Sequence, residues 1–199
     1  MAPSPVYMSL FFCFAAMSLL VFASVSPPAW SKVNFLDAYV NGAHTYFGVF
    51  GECLSGGSCT TKSVGYNLSI LNDPSLNIGS TALNRLTSAL ILHPIAGGLA
   101  LFAFIFGILG IAFASRFATV LMGLFATLGA FTALVIFVID MVLWNITKNE
   151  VSSAGGSATL GNANWLTVGA TVALFLAMCT SFCGACGRFA TGRAAGEKY

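Results

Sequence analysis

Four stretches of this chain are long enough to cross a lipid bilayer and hold almost no charge, and no other feature limits the fold so tightly. Inside lipid each peptide group must be satisfied within its own segment, so a crossing helix needs about 20 consecutive apolar residues. The runs are 6–26 ("VYMSLFFCFAAMSLLVFASVS"), 89–114, 117–143 and 165–183. Composition agrees: 57% of residues are hydrophobic and 7% charged, where soluble domains carry about 25% charge. The sequence therefore predicts an all-α membrane protein, a four-helix transmembrane bundle built as one domain over 1–199. Its loops are 27–88 and 144–164, and its tail is 184–199.

The first run has a rival reading as a cleaved signal peptide, since Ser24 and Ser26 are small residues placed where cleavage would need them. The run lacks a basic leading segment, however, and Pro27-Pro28 follows it directly, so a retained membrane helix is expected. Only Ser115 and Arg116 separate the second and third runs, which requires a tight antiparallel helical hairpin.

With four spans both termini share one side. That side carries Arg116, Arg188, Arg193 and Lys198 in short segments. The opposite side dilutes Lys32, Lys62, Arg85 and Lys148 over longer ones, with Asp37, Glu52, Asp73 and Glu150 among them. The rule that Lys and Arg stay in the cytoplasm then predicts both termini inside and both long loops outside.

The first outer loop contains "TYFGVFGECLSGGSCTTKSVGYNL", residues 45–68. "YFGVFGEC" reads as a strand, "LSGGS" as a turn with Gly56 and Gly57 supplying positive φ, and "CTTKSVGYNL" as the return strand. An oxidising exterior lets Cys53 and Cys59 persist as a disulfide. Closing so small a ring contributes about 2 kcal/mol in the chain-entropy account, so the bond acts mainly as a register pin. The alternative is two free thiols. Two glycosylation triplets fit the same side, Asn67-Leu-Ser and Asn145-Ile-Thr, with Asn145 too close to the membrane to be modified. "SSAGGSATLGNAN", 152–164, reads as a flexible loop with no nameable chemistry.

Inside the runs, His93 and Asp140 stand out. His93 follows the outer start of the second helix, and Asp140 lies about a turn before the third helix exits at Trp144. Antiparallel neighbours would bring them to similar depth. Ionisable residues at membrane depth are functional candidates, and imidazole is the side chain best suited to change charge near neutrality. A pH-responsive pair is one expectation; the other is an interfacial pair that satisfies itself or snorkels, with Pro94 merely kinking the helix. His44, in the outer loop, is a more solvated competitor.

Cys179, Cys183 and Cys186 lie near the cytoplasmic end of the last helix. Cys183 and Cys186 are palmitoylation candidates, against a plain packing role. Gly97, Gly98, Gly107, Gly110, Gly123 and Gly129, with Ala126 and Ala130, suit close helix packing.

Catalytic motifs are lacking. The chain has 2 histidines and 6 carboxylates, without a phosphate loop, paired-His metal motif or nucleophile elbow. Cys183-Gly-Ala-Cys186 lacks the second ligand pair that a metal site would want. No enzyme, cofactor or metal is expected, and no basic patch points to nucleic acid. So few intramembrane charges also disfavour a transporter subunit.

Trp30, Gly48, Phe50, Gly51, Cys53 and Cys59, on a four-helix chain, resemble the first-loop signature of the claudin-like tetraspan superfamily. The finer wording, "YFGVFGEC", "VGYNL" and "LHPIAGGL" at 92–99, is similar to the fungal PalI family, which joins pH-response regulators with relatives at eisosomes and the cell cortex. The resemblance implies a claudin-like bundle in the plasma membrane with a small disulfide-pinned antiparallel β element. It also implies an accessory that assists a PalH-type receptor upstream of proteolytic activation of a transcription factor, or else an organiser of membrane domains. Implied partners are membrane lipids, that receptor or other membrane proteins, and a second copy of the chain. Many PalI members carry a long hydrophilic tail, whereas this sequence stops soon after its last apolar run.

Overall fold

The computed structural model describes residues 5–40, 42–66, 80–113, 116–153 and 155–195, with side chains at all of these except 5, 80–84, 116 and 183–195. The elements are α1 (Pro5–Ser24), β1 (Leu36–Val40), β2 (Ala43–Phe47), β3 (Glu52–Leu54), α2 (Ser80–Ala89), α3 (Leu92–Ala112), α4 (Arg116–Ser153), β4 (Ser157–Leu160) and α5 (Asn162–Ala195). Four of these helices are long and apolar enough to cross a membrane.

The spanning helices form a closed ring in which α1 packs on α3, α3 on α4, α4 on α5, and α5 back on α1. Each helix runs antiparallel to both of its neighbours. Between apolar helices in lipid there is little hydrophobic drive, so association depends on close backbone approach over small side chains. The buried residues of α3 show this: Ala96, Gly97, Ala100, Ala103, Gly107 and Gly110 repeat at helical spacing on one face. Ala126, Ala130 and Ala133 answer from α4, and Ala170, Ala173 and Ala177 from α5. Large side chains point the other way, with Phe11, Phe102, Phe117, Phe131 and Phe182 exposed toward lipid. The bundle is small inside and bulky outside.

One end of the ring carries a four-stranded antiparallel sheet in the order β3-β2-β1-β4. Leu36, Ala38, Thr45, Phe47 and Ala158 alternate toward the bundle and are buried, while Tyr39 and His44 face outward. The sheet rests on the last turns of α4, where Trp144, Thr147 and Val151 are buried.

Several expectations change here. "YFGVFGEC" is not one strand: β2 ends at Phe47, Gly48–Gly51 turns the chain, and β3 begins at Glu52. The Gly48 N–H donates to the Gly51 carbonyl at 2.9 Å and closes that turn. Among the described residues the return strand shrinks to a bridge at Cys59, and its last two positions, 67 and 68, lie outside them. The loop read as flexible holds β4, paired with β1 from Leu36↔Leu160 to Tyr39↔Ser157. The third apolar run stops at Leu143, but its helix continues to Ser153 because the sheet, not lipid, covers its last turns. Pro94 sits in the first turn of α3, where a missing N–H costs no intrahelical bond, so it starts the helix rather than kinking it.

Candidate functional site

The sheet end of the bundle buries a polar centre. His93 comes from the first turn of α3, Asp140 from α4 and Thr167 from α5, and all three are fully buried. His93 Nε2 lies 3.2 Å from Asp140 Oδ2 and 3.3 Å from Thr167 Oγ1, and Nδ1 lies 3.0 Å from the Leu90 carbonyl oxygen.

Those partners locate the protons. A carbonyl only accepts, so Nδ1 carries a hydrogen and donates it to Leu90. The Thr167 hydroxyl gives its hydrogen to the Ala163 carbonyl at 3.2 Å, so toward Nε2 it acts as an acceptor. The contact between Nε2 and Asp140 Oδ2 at 3.2 Å ties α3 to α4.

Aromatic rings roof this centre. Phe35, just before β1, meets the His93 ring edge-on at 5.1 Å and stacks on Trp144 at 5.8 Å, and Phe47 of β2 lies 6.0 Å from Trp144. The base of the sheet is thus in direct contact with the buried pair. The Asn164 amide N–H₂ at the start of α5 donates to the Phe35 carbonyl at 2.6 Å and holds that roof in place.

The loop-signature residues form a seam between the exit of α1 and the sheet. A Cβ on Gly48 would strike the Pro27 backbone, and one on Gly51 would crowd Thr60 and the Pro28 ring. The cis Pro27–Pro28 segment can lie flat on the sheet only because both positions are glycine. Ser26 Oγ accepts from the Val49 N–H at 2.9 Å, and the Tyr66 hydroxyl donates to the Gly48 carbonyl at 2.7 Å. Burial, reinforced by the nearby Glu52 carboxylate, pushes the Tyr66 phenol well above its ordinary range, so this latch keeps its proton in alkaline surroundings. Phe50 is partly buried against the same core, whereas Trp30 is half-exposed beside Phe22 at 6.5 Å.

Cys53 and Cys59 are joined as a disulfide across the turn, where Gly56 and Gly57 have φ of 143° and 102°. On the outward face His44 Nδ1 lies 2.9 Å from Asp37 Oδ1, with side chains 46% and 29% exposed. Solvent screening leaves so open a pair little energy. Asn67 and the side chains of Cys183 and Cys186 lie outside the described residues. Asn145 is on the exposed side of α4. Among the described residues no group of His, Cys, Asp or Glu could hold a metal ion.

Sequence reading brought His93 and Asp140 together but missed Phe35, Trp144, Asn164 and Thr167. Their shared signal was weak: each is an ordinary residue near a loop boundary, and only the packing of the sheet onto α4 gathers them.

The sequence matches the SUR7/PalI family over residues 6–180. The chain belongs to this family. Relatives include the pH-response regulator protein palI/prr-5 of Neurospora crassa, 32% identical over 99 residues that make up 48% of this chain and 14% of that protein. A second is the pH-response regulator protein palI/RIM9 of Yarrowia lipolytica, 37% identical over 87 residues, or 43% of this chain and 11% of that protein. The chain thus spans only a small part of the length of these curated SUR7/PalI relatives.

Proposed function

We propose that this chain is a non-catalytic accessory of the response to ambient alkaline pH. It would sit in the plasma membrane with both termini in the cytoplasm and help to place or assemble a PalH-type receptor. The supporting observation is the buried hydrogen bond between His93 and Asp140 at the joint of sheet and helices, in a family whose relatives carry pH-response names.

Removing the hydrogen from that bond in the closed joint would leave an imidazole lone pair facing a carboxylate at 3.2 Å. It would also leave an uncompensated charge in a fully buried site, at a cost on the order of several kcal/mol. Proton loss and loosening of the α3–α4 joint are therefore linked. The joint would open as pH rises, the direction an alkaline response needs. The sheet base touches His93 through Phe35, so a loosened joint would reach the outward face, where a receptor can read it.

The test is growth of a deletion strain at alkaline pH. An alkaline growth defect, rescued by a constitutively processed form of the pathway's transcription factor, is expected. Normal alkaline growth with altered cortical patches would overturn this reading in favour of an organiser of membrane domains.

A further inference from the structure

Three buried polar atoms around the His93–Asp140 pair have no hydrogen-bond partner among the described residues: Asp140 Oδ1, Trp144 Nε1 and Asn164 Oδ1. All three residues lie within the wall that Phe35 joins. Asp140 and Trp144 are one turn apart on α4, the Trp144 ring stacks on Phe35, and Asn164 donates to the Phe35 carbonyl. Asn164 is also one turn before Thr167, which lies against His93 Nε2. We propose that these three atoms bind one internal water molecule, a ligand site on the buried pair itself.

Donor and acceptor counting selects the ligand. The indole N–H is one donor. Asp140 Oδ1 is an acceptor whether or not Oδ2 carries a hydrogen. The Asn164 amide is fixed in orientation, because its nitrogen donates to the carbonyls of Phe35 at 2.6 Å and Gly161 at 3.3 Å, leaving Oδ1 as an acceptor. One donor cannot serve two acceptors, so no rearrangement among the three satisfies them all. Neighbouring hydroxyls cannot help, since Thr167 donates to Ala163 and Thr171 to the Thr167 carbonyl. The deficit is one donor.

A water molecule supplies what is missing. It accepts from the Trp144 N–H and donates one hydrogen to each acceptor, making about three bonds, as buried waters typically do. Leaving such groups unmet would cost about 1–3 kcal/mol each. A bare metal cation does not fit, because the indole N–H would point its hydrogen at the ion and only two oxygens are offered. Held on Oδ1 of the carboxylate whose Oδ2 faces His93, it joins that pair to Trp144 and Asn164 in the roof; any part it plays in the pH response rests on the reading proposed above, while its binding does not.

Trp30 and Trp165 are exposed, so Trp30→Phe with Trp165→Phe gives a full-length chain whose only indole is Trp144. Its ¹⁵N-labelled indole, in nanodiscs, should show a cross-peak to water of the sign produced by a molecule held longer than overall tumbling. Absence of that cross-peak overturns the site. Asn164→Leu in the same background should abolish it, and an undiminished cross-peak there would overturn the three-point arrangement. Neither readout depends on pathway output, so failure of the water site and failure of the pH-response reading are separate results.

Discussion

His93 and Asp140 illustrate how much one buried hydrogen bond can hold. Truncating one member of a buried, hydrogen-bonded pair costs about 3–5 kcal/mol, much of it from the group left behind. His93→Gln and Asp140→Asn should each lower the unfolding temperature of the purified chain in detergent. The double variant should lose less than the sum of the singles, since either change already breaks the same bond. In cells the singles should shift the external pH at which the pathway responds. Additive losses in vitro, or an unchanged midpoint in His93→Gln at normal expression, would leave the chain a scaffold for a sensor located elsewhere. The outward His44–Asp37 pair makes a useful control. It is geometrically tighter at 2.9 Å but solvated, so His44→Gln should change stability by less than about 1 kcal/mol.

The helices differ in how tightly they meet, and glycine marks the difference. A Cβ on Gly107 of α3 would come 2.7 Å from a Leu10 methyl of α1 and 3.0 Å from the Met122 sulfur of α4, while on Gly98 it would meet nothing within 4 Å. Gly107→Val should therefore cost about 1–3 kcal/mol by overpacking the ring. Gly98→Ala should be neutral or stabilise by about 0.5–1 kcal/mol through helix propensity. Thermal unfolding in detergent measures both, and equal effects would contradict the packing described. The sequence flagged both glycines but could not separate them, because glycine spacing alone does not say which face meets a neighbour. The four spanning helices were legible because a bilayer demands long apolar runs. Leu36, Ala38 and Val40 alternate as a strand should, yet β1 was missed beside the more conspicuous cysteine hairpin. β4 carried still less signal, being four residues set between glycines, and its strand conformation comes from pairing with β1. The polar pair was legible for the opposite reason to its roof. An ionisable residue inside an apolar run is conspicuous, whereas Phe35 and Trp144 become informative only after the sheet is placed.

The molecule as a whole is polar in its architecture, with a sheet at one end and helix ends at the other. α4 has 38 residues, about 57 Å at the α-helical rise, nearly twice the hydrocarbon thickness of about 30 Å. Its surplus length is enough to carry the sheet, and with it the disulfide between Cys53 and Cys59, beyond the hydrocarbon layer. If that end faces outside, the two cysteines should become reachable in intact cells once the bond is opened. A membrane-impermeant phosphine followed by an impermeant maleimide should label the chain, and Cys53→Ser together with Cys59→Ser should remove that label. Cys183 and Cys186, on the far stretch of α5, should react only after permeabilisation. If acyl chains occupy them, labelling should also require prior treatment with hydroxylamine. Reduction-independent labelling of the tail cysteines in intact cells, with Cys53 and Cys59 protected, would invert the orientation. The buried His93–Asp140 pair would then lie near the cytoplasmic face and could not report external pH from where it sits.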